Sequence, residues 1–553
     1  MMLSRKSFFI NSIGIYLIFL FLFITTLAFC TASFIGLGLL GKYIVPIIFG
    51  PKTQAIIPLL TPYVLAMAIF TISQPIVSYF QAKENYSFAI VGFLVAVLQI
   101  VLTCFFHKNL EQIVFVMLTT SVINLSLMAP LYVFQKEVKI IISNLKDFYG
   151  LFISVRWRRN PKYNPSSKRI LILNWRDTRH KWAGGAEVYI HELAKNWVKN
   201  GNVVTIFCGN DTTKPRNELI DGIEIYRRGG FYTVYVWAIL YYIFKFRGKY
   251  DVIIDSENGI PFFTPLYTNA HRFLLIHHVH QEVFRKSLKW PLSTLALFLE
   301  ARLMPLVYRN AQVVTVSPSS KEEILKHKLT KKDPLIIYNG VDTTQFKPGE
   351  KSEKPLILYL GRLQRYKSLD VFIKAAKEIL GKIPDAEFVV AGEGEEKINL
   401  IKLAQNLGIL EKIKFLGKVT EEEKIELFQK AWILMNPSFM EGWGITTIEA
   451  NACGTPTIAS NVPGLRDSVS NLKTGILVEY GDYQAFSQNA IILLQDNQLR
   501  KEMSLNSIQW AGKFSWEESA ISFNNILSEE LEKAPVVRTN RLVYVLNRIA
   551  SLL

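Results

Sequence analysis

Between residues 8 and 134 this chain carries almost no charge away from its turns. Four apolar runs, near 8–34, 56–82, 86–106 and 111–134, have no charged residue in their central stretches. Each is long enough to cross a hydrocarbon layer about 30 Å thick, which takes about 20 helical residues. Lipid offers no water to satisfy backbone amides, so such runs must close their own hydrogen bonds as helices. The polar breaks Ala82-Lys83-Glu84-Asn85 and His107-Lys108-Asn109 separate the later runs. Residues 1–150 are therefore expected to form a transmembrane helical region of about four spans. In the stretch 31–55, either the first helix continues or Pro46 and Gly50-Pro51 break it.

Charge sets the expected orientation. Lys136, Lys139, Lys146, Arg156, Arg158, Arg159, Lys162, Lys168 and Arg169 follow the last run, and positive residues stay on the cytoplasmic side. Four spans return Arg5 and Lys6 to that side, while Lys42, Lys52 and Lys108 fall outside. The expectation is an integral protein of the cell membrane, with its N-terminus and large C-terminal part in the cytoplasm. Residues 151–168 read as a basic linker suited to anionic head groups. A signal peptide fits less well: in Leu27-Ala28-Phe29-Cys30 the bulky Phe29 fills a position that cleavage needs small, and more apolar runs follow. Of the net charge of +17, only six units fall on the 384 residues after Arg169, which hold 48 Lys/Arg against 42 Asp/Glu. That near balance excludes a nucleic-acid protein, whose folded domain would carry a basic stripe. Cys30, Cys104, Cys208 and Cys453 are far apart and form no paired motif, so they read as thiols in a reducing compartment.

The run Ile44-Val45-Pro46-Ile47-Ile48-Phe49-Gly50-Pro51, with Tyr79-Phe80-Gln81-Ala82 further on, resembles the C-terminal part of polysaccharide flippases of the MATE-like superfamily. The resemblance covers about 130 residues. No Asp, Glu, Arg, Lys or His sits in the middle of a span, where a transport site often places one. An anchor derived from such a transporter is the expected reading.

From Arg169 the pattern changes. Short β-branched runs alternate with amphipathic helical stretches, which implies parallel sheets with crossover helices. Strands are expected at 170–173, 203–207, 252–254, 273–276 and 313–316. The series restarts at 356–360, 387–391, 413–416, 433–436 and 457–459. The fold class is α/β: two Rossmann-like doubly wound domains, 169–335 and 336–515, facing across a cleft. A helix at 516–535 and an amphipathic tail at 536–553 follow. The aromatic stretch 231–246 is too short to span a membrane and reads as a packed helix. Ligands of such sheets bind beyond the carboxyl ends of the strands, so the residues there carry the functional reading.

Gly184-Gly185-Ala186-Glu187 lies between the first strand and its helix. Two glycines admit a ligand to the backbone, and a helix N-terminus attracts phosphate. Gly184, Gly185 and Glu187 are thus an acceptor or phosphate loop. The neighbouring His191-Glu192-Leu193-Ala194-Lys195 misses the zinc motif because Lys195 stands where the second histidine belongs. In His277-His278-Val279-His280, His277 comes first after an apolar strand and can polarise a reacting group. No nearby Cys or carboxylate cluster in the sequence completes a metal site there, so no metal is expected. Arg362 and Lys367 in Gly361-Arg362-Leu363-Gln364-Arg365-Tyr366-Lys367 place a guanidinium fork and a point charge at the cleft, which suits a diphosphate. Gly392-Glu393-Gly394 lacks the third glycine of a dinucleotide fingerprint and reads as a close-approach turn beside a base. In Glu441-Gly442-Trp443-Gly444-Ile445-Thr446-Thr447-Ile448-Glu449, two carboxylates flank a glycine loop that opens a helix. Loop amides can hold phosphate, and carboxylates can accept the paired hydroxyls of a sugar or ribose.

Arg362, Lys367, Glu441 and Glu449, taken with Gly184-Gly185, Ser317-Pro318-Ser319 and Asn339-Gly340-Val341-Asp342, resemble the family 4 retaining glycosyltransferases of GT-B fold over about residues 168–530. The resemblance implies a UDP- or GDP-linked sugar donor in the second domain, an acceptor in the first, retention at the anomeric carbon and no required cofactor or metal. It implies that Arg362 and Lys367 neutralise the diphosphate, that Glu449 holds the ribose, and that Glu441 and His277 lie at the sugar. Gly394, Gly444, Ile445 and Thr446 complete the donor set, with His277, Glu441, Arg362 and Lys367 as the catalytic group. It also implies that the helix begun by Ser515-Trp516-Glu517 crosses back to the first domain. Ser368 departs from the family, which often has glycine after the lysine. The whole then reads as a membrane-anchored enzyme that glycosylates a lipid-linked or glycan acceptor at the cytoplasmic face, in cell-surface polysaccharide or glycolipid synthesis. The alternatives are a flippase-like transport module coupled to a transferase, and an inactive sugar-nucleotide sensor.

Overall fold

The computed structural model describes residues 2–82, 87–133, 149–151, 167–268 and 270–532. The chain divides into two compact units, Met1–Leu145 and Lys146–Leu553. The basic linker and the amphipathic tail lie almost wholly outside the described residues, as do most of the cations that set the expected orientation.

Among the described residues of the first unit, three helical stretches are long and apolar enough to cross a membrane: Ile18–Leu39, Ile57–Ala82 and Leu110–Ala129. The third expected run forms a helix, Ser87–Phe105; its described apolar part, Val91–Phe105, falls short of that length. In the stretch left open in the sequence the first helix continues to Leu39, Pro46 lies inside the next helix and does not break it, and of the two expected breaks only Gly50-Pro51 ends a helix. The first helix runs on through a π-helical turn, Phe34–Leu39, and then breaks at Leu40 before Gly41–Phe49. Thr61 Oγ1 donates to the Gly38 carbonyl within that π turn, at 2.6 Å. The helix 57–82 breaks at Ser73, whose hydroxyl donates to Phe70 O and accepts Asn124 Nδ2 at 3.1 Å. Inside, Phe19, Tyr79 and Tyr132 pack face and edge, with centroids 4.6–5.2 Å apart. Outside, large apolar side chains such as Phe21, Ile47, Phe93 and Phe115 are exposed, the reverse of a unit built for water.

The second unit holds two sheets. The first contains β1 (Arg169–Leu173), β2 (Val203–Cys208), β3 (Asn217–Ile220), β4 (Ile223–Arg227), β5 (Val252–Glu257), β6 (His271–Ile276), β7 (Gln312–Thr315) and β8 (Leu335–Ile336). Their order is β3-β4-β2-β1-β5-β6-β7-β8, parallel except for the β3–β4 pair. All five strands expected in this domain form, as β1, β2, β5, β6 and β7, because each carries a short apolar run that is largely buried, as parallel strands are. The β3–β4 hairpin and the two-residue β8 were not expected. Residues 234–246 form a helix ending in a π turn, packed by Trp237, Tyr241, Tyr242 and Phe246 against Leu171, Phe207 and Ile253 of the sheet.

The second sheet contains β9 (Leu356–Leu360), β10 (Glu387–Ala391), β11 (Ile413–Gly417), β12 (Ile433–Asn436), β13 (Thr457–Ser460) and β14 (Gly475–Val478), in the order β11-β10-β9-β12-β13-β14 and parallel throughout. β14 adds an edge strand beyond those expected. The last described helix, Trp516–Glu532, returns to the first sheet. Trp197 Nε1 donates to Ala520 O at 2.9 Å, and Phe523 packs edge-on against Trp197 and Phe273. The Gly340 of Asn339-Gly340-Val341-Asp342 has a local cause in this crossing: a Cβ there would lie 2.2 Å from Trp516 N.

Candidate functional site

The loop after β9 and the loop before the 445–452 helix meet through two side chains. Lys367 Nζ is 2.5 Å from Glu441 Oε1. Ser438 Oγ lies 2.9 Å from the same oxygen and 2.7 Å from Asn436 Oδ1 at the end of β12. Burial alone would lift the Glu441 carboxyl, but the Lys367 ammonium, the Ser438 hydrogen bond and His278 together hold the group below its ordinary range. The site therefore keeps an ionised carboxylate against a fixed cation. Arg362 Nη2 donates to Tyr366 OH at 2.8 Å, which fixes the guanidinium near the cleft.

Eight residues beyond Glu441, Glu449 is buried within the 445–452 helix. Its Oε1 accepts Lys424 Nζ at 2.8 Å, and Lys424 also pairs with Glu421 at 2.8 Å. Burial pushes the Glu449 carboxyl above its ordinary value, and Lys424 offsets only part of that rise. Gly444 precedes the helix at φ +91°, a left-handed conformation that favours glycine. Ile445 and Thr446 open the helix half-buried.

The first domain supplies the opposite wall. A Cβ at Gly184 would lie 3.6 Å from the Arg362 guanidinium, and one at Gly185 would lie 3.3 Å from Ile445 Cδ1. The glycine pair of one domain thus faces the arginine and helix start of the other. Glu187 is differently employed. Its Oε2 accepts Gly184 N at 2.6 Å, and its Oε1 accepts both Arg176 Nε and Asn258 Nδ2 at 3.0 Å. With both oxygens engaged, Glu187 shapes the loop rather than presenting a free carboxylate. Arg176, buried and within electrostatic range of Arg362, adds a second guanidinium on this side.

The histidines are arranged differently from the sequence reading. The His277 ring packs edge-on against Tyr189, centroids 5.4 Å apart, and is buried. Burial, with the neighbouring histidines, pushes it down to about 3, and its Nε2 has no hydrogen-bond partner among the described residues. Its carbonyl accepts Ser320 Oγ at 2.9 Å. The half-buried His278 is the ring that feels Glu441, Lys367 and Arg362. Burial first, then His280, hold it well below its ordinary value, so it stands neutral against the Lys367–Glu441 pair. Strand β6 ends at Ile276, and of the residues after it His277 packs against Tyr189 while His278 is the ring near Glu441, Lys367 and Arg362. The expectation that no carboxylates accompany the triplet also fails, because folding brings Glu257 and Glu300 to His280.

The glycines of 392–394 serve a backbone contact. A Cβ at Gly394 would lie 2.1 Å from Leu363 O, and one at Gly392 would lie 1.9 Å from Gly361 O. The turn lies directly on the Arg362 loop, with Leu363 N donating to Glu393 O at 3.0 Å. Ser317-Pro318-Ser319 joins the two domains: Asp467 Oδ2 accepts Ser319 N at 2.9 Å, and Arg466 Nε donates to Ser319 Oγ at 2.9 Å. Ser368 sits at φ +51°, which accounts for a preference for glycine there, and its hydroxyl lies 3.0 Å from Tyr480 OH.

Sequence reasoning chose His277 from a triplet that includes His278, and it did not single out Arg176 or Lys424. Arg176 lies in the loop after β1, where the strand-end rule pointed, but no local motif marks it. Lys424 lies in a highly charged helix, Glu421–Lys430, where no local motif distinguishes it from its neighbours.

Residues 183–345 match the family described as Glycosyltransferase Family 4, and residues 341–510 match that described as Glycosyl transferases group 1. An uncharacterised glycosyltransferase of Methanocaldococcus jannaschii is 27% identical over 394 residues, covering 66% of this chain and 99% of that protein. A D-inositol 3-phosphate glycosyltransferase of Corynebacterium aurimucosum is 26% identical over 395 residues, covering 63% of this chain and 92% of that protein. Among solved structures, the sucrose-phosphate synthase of Thermosynechococcus elongatus superposes with a TM-score of 0.57 at 20% identity, covering 66% of this chain and 100% of that one. HepE of Anabaena, in complex with UDP-glucose, superposes with a TM-score of 0.53 at 17% identity, covering 66% of this chain and 99% of that one. At these identities the structural likeness is one of fold.

Proposed function

We propose, starting from a glycosyltransferase of GT-B fold that uses a nucleotide sugar, that this chain transfers a sugar with retention to a lipid-linked or glycan acceptor at the cytoplasmic face of the cell membrane. The observation that carries this reading is the Lys367–Glu441 pair at 2.5 Å, facing Gly184-Gly185 and flanked by Arg362. Such a site holds fixed cations where a diphosphate leaves, and an ionised carboxylate where a sugar hydroxyl needs an acceptor.

In the proposed reaction the anomeric C–O bond to the diphosphate breaks and the acceptor oxygen forms its bond on the same face. The acceptor's hydroxyl proton passes to the departing phosphate oxygen. Charge grows on the diphosphate in the transition state, and pre-positioned cations stabilise that charge more than the ground state. Arg362 and Lys367 take this role, with the amides at Gly444, Ile445 and Thr446. Glu449 receives the ribose hydroxyls, with Lys424 keeping the buried carboxylate compensated. Gly394 supports the Arg362 loop beside the base. His278, neutral and turned toward Glu441, contacts the sugar. Gly184 and Gly185 admit the acceptor, and Glu187 holds their turn. The donor is a UDP- or GDP-linked sugar. No metal is assigned to the diphosphate.

The first unit is read as a transmembrane anchor of about four spans, of MATE-like flippase descent. Its outward apolar side chains and inward Ser73–Asn124 hydrogen bond support this reading. The decisive experiment incubates membranes holding the protein with radiolabelled UDP-, GDP- and dTDP-sugars and counts label in the organic-extractable lipid. Transfer from one donor, lost in Glu449→Gln and Arg362→Ala, is expected. No lipid label with donor binding intact would overturn the lipid acceptor. A product of inverted anomeric configuration would overturn retention.

A further inference from the structure

We propose that Glu257, His280 and Glu300 bind a divalent transition-metal ion, zinc by preference, behind the loop that carries His278. Three segments far apart in sequence supply the ligands: the end of β5, the histidine triplet after β6, and the π turn Leu299–Leu303. Their candidate ligand atoms all lie within 4.8 Å of one another. His280 Nδ1 is 3.4 Å from Glu257 Oε1 and 3.8 Å from Glu300 Oε1. Both glutamates are 0% exposed.

Hydrogen bonding uses only half of each carboxylate. Glu257 Oε1 accepts Gly259 N, and Glu300 Oε1 accepts His280 N, each at 2.7 Å. Glu257 Oε2, Glu300 Oε2 and His280 Nδ1 remain buried without a hydrogen-bond partner among the described residues. Buried polar atoms are nearly always satisfied, and two adjacent buried carboxylates without a cation are costly. A divalent ion at this place would supply the positive charge that the buried carboxylates lack.

The donor set selects the metal. One imidazole nitrogen with two carboxylate oxygens suits a borderline ion such as zinc, whereas magnesium and calcium take oxygen alone. Zinc–ligand distances of about 2.0–2.2 Å bring tetrahedral ligand atoms to about 3.5 Å of each other, so the cluster closes only slightly on binding. Three protein ligands leave a fourth position for water.

The ion would brace the catalytic face without touching the donor. The His280 ring lies 4.0 Å from the His278 ring on one side and 5.7 Å from Phe284 on the other. Fixing Nδ1 of His280 fixes the plane against which His278 rests. This consequence for catalysis depends on the transfer reaction proposed above; the binding itself does not.

The test uses the full chain in detergent, free of added histidines, stripped with a chelator and reloaded with zinc or cobalt. Metal per chain is measured by mass spectrometry after gel filtration. About one zinc per chain is expected, falling to near zero in Glu257→Gln and Glu300→Gln and unchanged in His191→Gln, which removes the unrelated His191–Asp221 pair. Cobalt in the wild-type chain should give visible absorption bands that zinc displaces, a readout that needs no variant. A reloaded wild-type chain without metal, or a Glu300→Gln chain that retains the wild-type amount, overturns the site.

Discussion

Lys367 Nζ lies 2.5 Å from Glu441 Oε1, which ties the loop after β9 to the loop before the 445–452 helix. The pairing orients both side chains, and the Lys367 ammonium favours the ionised Glu441 carboxylate. Glu441→Gln keeps the shape and removes the charge. It should lower kcat by roughly 10²–10³, the size of loss typical for a pre-organised electrostatic partner. Lys367→Ala should lower kcat and weaken nucleoside-diphosphate binding. Because the two act as a unit, the double variant should lose much less than the product of the single losses. Initial rates and calorimetric titration with the diphosphate check this, and fully multiplicative losses would separate the pair.

His278, and not His277, shares its electrostatic surroundings with Glu441, Lys367 and Arg362. The two residues should therefore separate experimentally. His278→Ala should remove most of kcat with little change in thermal midpoint. His277→Ala should lower the midpoint, because it empties a buried space against Tyr189. Rates and melting curves on both variants decide it. A stable, inactive His277→Ala would return the role to His277.

The uneven legibility of this chain follows from the range of the forces involved. β1, β5, β6, β9 and β10 are dense apolar runs because both faces are buried, so they stand out locally. In the β3–β4 hairpin the exposed Leu219 pairs with the exposed Glu224, and the half-buried Glu218 pairs with Ile225, so neither short strand shows a continuous apolar run. β8 has only two residues. Glycines at strand ends mark the site loops, since close approach is a local demand. The glycine at 394 was legible, but its contact was not: the neighbour at 2.1 Å is Leu363 O, in another strand-end loop. Arg176, Lys424 and the Glu257–His280–Glu300 cluster depend on pairings between distant segments, for which neither periodicity nor spacing gives a signal.

Gly394→Ala is a backbone experiment on catalysis. Its Cβ would fall 2.1 Å from Leu363 O, a rigid backbone atom. The Arg362 loop must then shift, and a displacement near 1 Å in a positioning group costs about 10²-fold. The expected outcome is a loss of that order in kcat/KM, with the circular dichroism spectrum retained. Wild-type kinetics in Gly394→Ala would show that the loop has room the structure does not suggest.

His180 gives the first domain an acid sensitivity. Burial lowers its pKa to about 4, against an opposing pull from Asp211; Arg176 and Lys181 push in the same direction as burial, and Asp177 against it. Its Nδ1 accepts Trp182 N at 3.1 Å, so protonation there would lose an acceptor. The folded value lies below the unfolded value of about 6.5. The unfolded chain thus binds the proton first, and this contribution to stability is lost as pH falls from about 6.5 toward 4. Denaturation midpoints measured across that window should fall more steeply for the wild-type chain than for His180→Gln. Parallel curves would show that His180 has no part in the acid response.

Ser368 separates backbone strain from hydrogen bonding. At φ +51° a side chain is disfavoured, and the hydroxyl compensates by meeting Tyr480 OH at 3.0 Å. Glycine removes the strain and the hydrogen bond together. The strain relieved is about 1 kcal/mol, and the hydrogen bond lost is worth about 0.5–1.5 kcal/mol, so Ser368→Gly should be nearly neutral. Ser368→Ala keeps the strain and loses the bond, and should be less stable by about 1 kcal/mol. Ser368→Val adds a β-branched side chain at a left-handed position and should be the least stable of the three. Tyr480→Phe should cost the wild-type chain stability but leave Ser368→Gly unchanged. If Tyr480→Phe destabilises both equally, the serine is not held by the tyrosine, and the departure from glycine is tolerated for a reason outside this contact.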